Sequence, residues 1–256
     1  GRITKLYCLD PAYGGIDRCV GRVLEFGKDV DGMDVINIGE PEIIPVSVKI
    51  AKQPEDQIAQ FVYERAQSLD IEPENIAYDS FGKGTLGAAF ARVFGERTPM
   101  PIDSGGPPSG RPVRFDLYVE ETDKHTGRTK RRLVLANEYY SKRVSEMWFS
   151  VRELIEGDQA RNLDTATMKE GCQRLFSIVK GNKVEVESKE DMIERIGYSP
   201  DLFDCLAIGV ELARIRGFQI RRIGAGKGGK KPVVSRLERE AQEFRKLQQS
   251  RWLQTA

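Results

Sequence analysis

The chain has 256 residues, of which 39% are hydrophobic and 31% charged, and its formal net charge is +1. This composition is typical of a soluble globular protein with one large α/β domain, alone or with an appendage. No apolar run approaches the roughly 20 residues that a membrane-spanning helix needs, which argues against a membrane protein. The single histidine, His125, leaves little for acid–base chemistry centred on imidazole. The four cysteines form no C-x-x-C pair, so neither a zinc ribbon nor thioredoxin-like chemistry is expected.

The first half of the chain predicts three strands, then two helices with a strand between them. The predicted strands are residues 3–10, 18–26, 33–39 and 76–79, and the predicted helices are residues 53–70 and 85–94. The turn sequence at residues 29–32 joins the second strand to the third as a hairpin, so the first three strands are expected to form an antiparallel meander. This order of elements implies a mixed sheet with helices packed on its faces.

The second half predicts two hairpins and three helices after a loop rich in Gly and Pro. The loop is residues 103–112, the hairpin arms are 113–120 with 128–136 and 176–179 with 183–187, and the helices are 137–156, 188–195 and 199–214. Trp148 lies on the apolar stripe of the first of these helices, which is typical of core packing. In the last helix, Ser199 is the expected N-cap and Pro200 the expected first helical residue.

The last 40 residues differ from the rest in charge. Residues 217–256 contain ten Lys and Arg and three Asp and Glu, whereas the remainder is mildly acidic. We predict a domain over residues 1–216 and, over residues 217–256, a basic linker with a charged helical tail at 235–253. A basic tail favours a polyanion or an acidic protein as its partner.

Four aspartates stand where predicted elements begin or end. Asp10 and Asp79 each end a buried apolar strand, and Asp201 and Asp204 share a face in the first turn of helix 199–214. Two unit charges about 5 Å apart repel by roughly 3 kcal/mol at an effective dielectric constant near 20, so clustered carboxylates must stay solvated, take up protons or bind a cation. Carboxylate oxygens are the ligands that hard divalent cations prefer.

Some of these aspartates also have a structural explanation. Asp10 precedes Pro11 and could start a turn, and Asp201 could complement the dipole of its helix. Asp204 is harder to explain in this way, because it interrupts an apolar helix face. The joint pattern favours a metal site, since two divalent ions can hydrolyse a phosphodiester without histidine.

Five stretches of the sequence resemble the nuclease domain of the large terminase subunit of tailed bacteriophages. They are LDPAYGG at residues 9–15, YDSFGKG at 78–84, NEYYSKRVSEMW at 137–148, ESKED at 187–191 and GYSPDLFDCL at 197–206. The resemblance extends over residues 1–216 and implies an α/β, RNase H-like (RuvC-like) fold, in which helices cover both faces of a mixed β-sheet. To that fold this chain adds an inserted β-hairpin and a basic C-terminal tail.

The resemblance implies a largely sequence-nonspecific endonuclease that cuts concatemeric double-stranded viral DNA during genome packaging by a two-metal-ion mechanism. On this chain, Asp10 is expected to bridge two Mg²⁺ or Mn²⁺ ions and Asp79 to hold one of them. Asp204, which we favour, or Asp204 together with Asp201 is expected to hold the other. The implied protein partners are the portal protein, the small terminase subunit and an ATPase motor domain of the same full-length chain. The implied location is the cytoplasm of the bacterial host and, transiently, the procapsid portal.

Double-stranded DNA is expected to contact basic side chains around the acidic site. The candidates are Lys83, Lys189, Arg128, Lys130, Arg131 and Arg132. Such side chains would neutralise phosphates and give salt-sensitive binding with little sequence preference. An ordinary solvated hairpin arm would carry the same charges, and the tail could bind either DNA or the portal.

Three other functions stay open. The chain could be a module that binds DNA and portal and shows little nuclease activity in isolation, or it could be a RuvC-like junction resolvase. An actin-like nucleotide-binding domain would have Gly and then Thr or Ser after the first Asp, whereas this chain has Pro11, Ala12 and Tyr13. The glycine-rich run at residues 224–231 lacks the Ser or Thr that follows the lysine of a phosphate-binding loop, so ATP hydrolysis is not expected.

Overall fold

A computed structural model describes residues 3–14, 17–80, 85–122 and 127–222. The strands are β1 (Thr4–Asp10), β2 (Val20–Lys28), β3 (Asp34–Ile43), β4 (Ile76–Asp79), β5 (Met100–Ile102), β6 (Tyr118–Thr122), β7 (Thr129–Leu133), β8 (Ala160–Arg161), β9 (Phe176–Val179) and β10 (Lys183–Val186). The α-helices are α1 (Pro54–Leu69), α2 (Thr85–Phe94), α3 (Ala136–Tyr139), α4 (Arg143–Glu156), α5 (Thr165–Gly171), α6 (Lys189–Ile196) and α7 (Asp201–Ile215).

A six-stranded mixed sheet carries the fold, in the spatial order β5-β4-β1-β2-β3-β8. Strands β1, β2 and β3 form the predicted antiparallel meander, while β4 lies parallel to β1 on its other side and β5 lies parallel to β4. A three-strand meander extended by parallel strands beyond β1 is the arrangement of the RNase H-like fold. The fold class predicted from the sequence is therefore confirmed.

Helices cover both faces of this sheet because side chains of a strand alternate between its faces. Tyr7 and Leu9 of β1 belong to the apolar core that contains Ile58 of α1 and Phe90 of α2. Cys8, which lies between them in sequence, contacts α7 on the opposite face, where its thiol is 3.8 Å from that of Cys205.

The approach of α7 to the sheet depends on a glycine. A Cβ atom at Gly209 would lie 2.7 Å from the sulfur of Cys8 and 2.8 Å from a methyl carbon of Leu24, closer than packed atoms allow. Helix α7 packs against β1, β2 and β4, and nearly all of its side chains are buried. This packing fixes the first turn of α7 near the carboxyl ends of β1 and β4.

The predicted inserted hairpin is present but shorter than expected. Strands β6 and β7 pair antiparallel as a separate sheet, and every residue of β6 is exposed. Residues 113–117, which we assigned to the first arm, are not part of the strand. The backbone N–H of Phe115 donates instead to the carbonyl of Ile220.

The predicted single helix over residues 137–156 is wrong. The chain forms α3, leaves the helical conformation at Tyr140 and starts again with α4. At the break, the backbone N–H of Ser141 donates to the carbonyl of Val184, and the hydroxyl of Ser141 donates to Glu185. Bonds to β10 thus replace bonds along the helix, which the apolar spacing of this segment cannot show.

Residues 218 and 220, placed in the predicted linker, are buried. The ring of Phe218 contacts that of Phe26 on β2 at 5.8 Å between centroids, and Ile220 is 2% exposed. The predicted tail helix lies outside the described residues, and the division at residues 216 and 217 stays a prediction. Within the described ranges, we find no helix with the length and apolar character needed to cross a bilayer.

Candidate metal centre

The carboxyl ends of β1 and β4 bring the first two predicted ligands together. The two strands are parallel neighbours, and Leu9 lies opposite Tyr78. Asp10 follows Leu9 and Asp79 follows Tyr78, and each is the last residue of its strand. The two aspartates therefore lie side by side at this edge of the sheet. Asp10 is buried, and the carboxylate of Asp79 accepts a hydrogen bond from the hydroxyl of Ser104 at 2.8 Å.

The first turn of α7 adds two more carboxylates, which meet that of Asp10 around one ammonium group. The Nζ atom of Lys189 lies 3.0 Å from Asp204 Oδ2, 3.7 Å from Asp201 Oδ1 and 3.9 Å from Asp10 Oδ2. The distance between any two of these oxygens therefore cannot exceed the sum of their distances to Nζ. Lys189 is the first residue of α6, whose N-terminus is capped by the side chain of Ser188.

These residues border a cavity of about 440 Å³. Its lining includes Asp10, Asp79, Asp204, Lys189, Ser104 and Trp148. The structure thus places all four predicted aspartates near the carboxyl end of β1, and three of them line the cavity itself. We call Asp10, Asp79, Asp201 and Asp204 the acidic cluster.

Burial and mutual repulsion act on the pKa of Asp10. Burial is the main cause that raises the pKa of Asp10 well above its usual range, and Asp204, Asp201 and Asp79 add to it, while Lys189 acts in the opposite direction. Burial alone would lower the pKa of Lys189, but the neighbouring carboxylates outweigh it and raise that pKa above its ordinary value. The ammonium is therefore charged at neutral pH.

Asp201 and Asp204 have different surroundings. Asp201 Oδ2 accepts hydrogen bonds from the backbone N–H of Arg18 at 3.0 Å and from its guanidinium at 3.4 Å. The side chain of Asp201 is 3% exposed, against 16% for that of Asp204. Arg18 thus holds one oxygen of Asp201 away from the cavity, whereas Asp204 opens onto it. This difference supports the preference for Asp204 as a ligand, which stays a prediction.

A residue that the sequence did not indicate holds the start of α7. The carboxylate of Glu170 on α5 accepts hydrogen bonds from the backbone N–H groups of Leu202 and Phe203 at 2.8 and 3.1 Å. These are donors that a helix leaves unpaired at its N-terminus. The expected N-cap at Ser199 is wrong, because α7 starts one residue later than predicted and its cap residue, Pro200, has no side-chain hydrogen bond. A partner 32 residues away in the sequence leaves no local signal.

Trp148, Arg174 and Ser104 are further residues of the site that were not predicted. The indole N–H of Trp148 donates to Asp204 Oδ1 at 2.9 Å, and a guanidinium nitrogen of Arg174 lies 3.7 Å from the same oxygen. The helical spacing of Trp148 predicted core packing, and its side chain is indeed buried. Spacing shows which face a side chain occupies, but not which atom its N–H group reaches.

The predicted DNA contacts fall in two places. Lys189 points into the acidic cluster, whereas Arg128, Lys130 and Arg131 are exposed on the β6–β7 hairpin. Arg132 forms ion pairs with Glu121 and Glu138. Lys83 and His125 lie outside the described residues. None of these placements tests DNA binding, so that assignment stays a prediction.

The donor set suits a divalent cation, although an ammonium now lies among the donors. Within residues 3–14, 17–80, 85–122 and 127–222, no group of three or more His, Cys, Asp or Glu side chains has the spacing of a metal site. Asp10, Asp201 and Asp204 are arranged instead around the ammonium of Lys189. That ammonium is itself a stand-in cation, and its three oxygen contacts show that the cluster fits positive charge. Oxygen donors of this kind bind Mg²⁺ and Mn²⁺.

Fold and site together define a protein with an RNase H-like sheet and a carboxylate centre at the end of its first strand. No model of a known protein family matches the sequence, and comparison with curated proteins finds no relative. The structure is similar to that of the nuclease domain of the large terminase subunit gp2 of bacterial virus Sf6, with 14% sequence identity and a TM-score of 0.48. The match covers 82% of this chain and 88% of that one.

Two further structures of that viral domain, both of a point mutant, match over the same shares of the chains at 14% identity. One contains manganese and beta-thujaplicinol and has a TM-score of 0.48, and the other contains calcium and has a TM-score of 0.47. At this identity the likeness describes the fold only.

Proposed function

We propose that this protein is a metal-dependent endonuclease that hydrolyses phosphodiester bonds of double-stranded DNA. The observation that carries the proposal is the meeting of Asp10, Asp201 and Asp204 around one cationic position, beside Asp79, at the end of the central strand. Such a concentration of buried carboxylates costs stability unless a cation binds.

Asp10, Asp79 and Asp204 are the residues that would hold two ions of Mg²⁺ or Mn²⁺. Bound there, the ions would supply Lewis-acid stabilisation of the scissile phosphate and an activated water. The protein's own part is to hold the carboxylates on rigid elements, two at strand ends and one in the first turn of a buried helix. Asp201 is tied to Arg18 and contributes mainly negative charge.

Lys189 is the residue that must move when metal enters. Its ammonium contacts the oxygens that a cation would take. The side chain is 35% exposed, so it can turn toward the cavity mouth. There it would face the phosphates of a bound duplex, in line with its predicted role in DNA binding.

The biological setting that we propose is viral genome packaging, with concatemeric DNA as the substrate and little sequence preference. The support is the set of five sequence stretches that resemble terminase nuclease domains. On the same basis, we propose the portal protein, the small terminase subunit and a motor domain of the full-length chain as partners. The corresponding location is the host cytoplasm and the procapsid portal.

Cleavage of supercoiled plasmid tests the proposal. We expect nicked and linear products with Mn²⁺ or Mg²⁺ and none with EDTA. Asp10→Asn, Asp79→Asn and Asp204→Asn should each lower the cleavage rate by more than about 100-fold. This loss exceeds the one usually caused by substitution of a residue that only supports a metal ligand. The matched control is Asp31→Asn, in the exposed turn between β2 and β3, which should cut like the wild type. Full activity in any of the three variants would remove its residue from the site.

A second candidate is a DNA-binding module without nuclease activity in isolation, and the position of Lys189 favours it. If the ammonium is a permanent substitute for metal, the wild type should bind DNA but bind no Mn²⁺ in calorimetry, and only Lys189→Ala should bind Mn²⁺. If the protein is a nuclease, the wild type should bind Mn²⁺ as well.

A comparison of cleavage of four-way junctions with cleavage of linear duplex separates a junction resolvase from a packaging nuclease.

A further inference from the structure

Trp148 makes a polar contact in a setting where aromatic side chains usually only pack. It lies on α4, and its side chain is nearly fully buried, with 5% of the residue exposed. Its indole N–H donates to Asp204 Oδ1 at 2.9 Å, the usual distance for an N–H···O hydrogen bond. The contact joins α4 to the first turn of α7.

The indole is itself held from two directions. The ring of Phe203 lies 4.3 Å from that of Trp148 between centroids, and the guanidinium carbon of Arg174 lies 4.5 Å from the indole centroid. Arg174 also approaches Asp204 Oδ1 at 3.7 Å. The donor therefore cannot swing away from the carboxylate without the loss of both packing contacts.

The two oxygens of Asp204 are thereby distinguished. Oδ1 faces Trp148 and Arg174, while Oδ2 faces Lys189, the group that also contacts Asp10 and Asp201. The terminal torsion of an aspartate is soft and roughly two-fold, so an isolated side chain would exchange its oxygens freely. A fixed donor on one oxygen removes that freedom and leaves the other aimed at the centre.

We propose that Trp148 is a positioning residue that orients Asp204 for divalent cation binding, with Oδ2 as the ligand atom. This inference rests on the proposed function. Groups that hold metal ligands in this way typically contribute roughly 10–100-fold in metal affinity or activity. Part of the metal affinity of the protein should therefore depend on one indole N–H group.

The first test is the affinity for Mn²⁺, measured by calorimetry on the full chain. Trp148→Phe keeps an aromatic ring but removes the donor, and its Mn²⁺ affinity should fall roughly 10–100-fold. The matched control is Phe149→Leu, which alters the next ring on α4, one that packs on Tyr140 and Phe176 and not on the acidic cluster. This control should bind Mn²⁺ like the wild type. Equal affinity of Trp148→Phe and wild type would overturn the assignment.

A second variant separates the hydrogen bond from packing in case Trp148→Phe folds poorly. Benzothienylalanine, introduced at position 148 by suppression of a stop codon, has sulfur in place of the indole N–H and nearly the same shape. With this residue, Mn²⁺ affinity should fall as far as in Trp148→Phe while the thermal melt in EDTA stays at the wild-type temperature. Unchanged affinity in the benzothienylalanine protein would overturn the proposal.

A spectroscopic readout uses the two tryptophans of the chain. In Trp252→Phe protein, Trp148 is the single tryptophan, and excitation of it should sensitise the emission of Tb³⁺, used as the probe ion. Adding Asp204→Asn should abolish that emission at the same Tb³⁺ concentration. Sensitised emission that survives Asp204→Asn undiminished would place the ion elsewhere and overturn the assignment.

Failure of this inference can be told apart from failure of the proposed function. If the wild type binds no Mn²⁺ and cuts no DNA, the proposed function fails and the role of Trp148 falls with it. If the wild type does both and the two position-148 proteins bind Mn²⁺ as tightly as the wild type, only the role of Trp148 is overturned.

Discussion

The two ends of α7 each face a buried group of charges, and the two groups are built in opposite ways. At the N-terminal end, the acidic cluster and Glu170 provide five carboxylates for the three cations Lys189, Arg18 and Arg174. At the C-terminal half lies a second group, which we call the arginine network. It joins Glu146 and Glu211 to Arg111, Arg143 and Arg214.

The contrast shows how one helix can serve both stability and function. In the arginine network, burial opposes ionisation of Glu146, but Arg214 and the hydrogen bonds from Ser109 outweigh it, so the pKa of Glu146 lies below its usual range. In the acidic cluster, the pKa of Asp10 lies well above its usual range. In the network, the arginines thus outweigh the cost of burying Glu146, whereas in the cluster Lys189 does not outweigh the cost of burying Asp10.

The largest change in stability is expected from a substitution that breaks the arginine network. Arg214→Ala should lower the free energy of unfolding by about 3–5 kcal/mol, because it leaves Glu146 and Glu211 buried with one partner fewer. Chemical denaturation measures this loss. Mn²⁺ affinity of the folded fraction should not change, and Arg222→Ala, at an ion pair of 3.5 Å on the surface, is a control with little expected effect. A loss of unfolding free energy below about 1 kcal/mol in Arg214→Ala would mean that the arginine network does not stabilise the fold.

The next effect concerns the divalent cation that we propose for the acidic cluster. Mn²⁺ at 100 times its dissociation constant should raise the free energy of unfolding by about 2.7 kcal/mol, since it binds the folded state. Thermal melts with Mn²⁺ and with EDTA measure the difference. Arg214→Ala should retain this gain and Asp204→Asn should lose it. A gain that persists in Asp204→Asn would place the cation at another site.

A smaller effect is expected without metal. Asp10→Asn should raise the free energy of unfolding in EDTA by about 1 kcal/mol, which is the usual size of the gain from a single stabilising substitution. The reason is that the burial of the Asp10 charge costs more than Lys189 returns, as the raised pKa shows. Asp31→Asn in an exposed turn should change nothing. A destabilised Asp10→Asn would mean that the charge of Asp10 supports the fold.

The smallest effect is in pH dependence, where the two groups should differ in sign. The folded pKa of Asp10 is raised, so its charge costs stability at high pH, and the advantage of Asp10→Asn should disappear as pH falls below the unfolded value of about 3.9. The folded pKa of Glu146 is lowered, so its contribution is present above about 4.3 and is lost as pH falls through the folded pKa.

Denaturation of wild type, Asp10→Asn and Glu146→Gln between acid and neutral pH compares the two contributions. The stability difference from wild type should be positive for Asp10→Asn, negative for Glu146→Gln, and shrink toward low pH in both. Parallel curves at all pH values would refute the assigned charge states.

Sequence reasoning was most successful for the sheet. The apolar runs that end at Asp10 and Asp79 correspond to β1 and β4, because buried strands read as short continuous apolar runs. It failed where a distant partner replaced a local one, as at Tyr140–Lys142, where bonds to β10 break a helix, and at Ser199, where Glu170 provides the cap.

By itself, the sequence determined β1 to β4, the aspartates that end β1 and β4, and the helix whose first turn carries Asp201 and Asp204, since strand and helix periodicity are local properties. It did not indicate the short strands β5 and β8, which complete the sheet. Only the tertiary structure decided that Lys189 lies among three of those aspartates, that Arg18 holds Asp201, and that Trp148 donates to Asp204. These contacts join residues far apart in the chain, and burial, which raises the pKa of Asp10, is complete only once α7 has packed on the sheet.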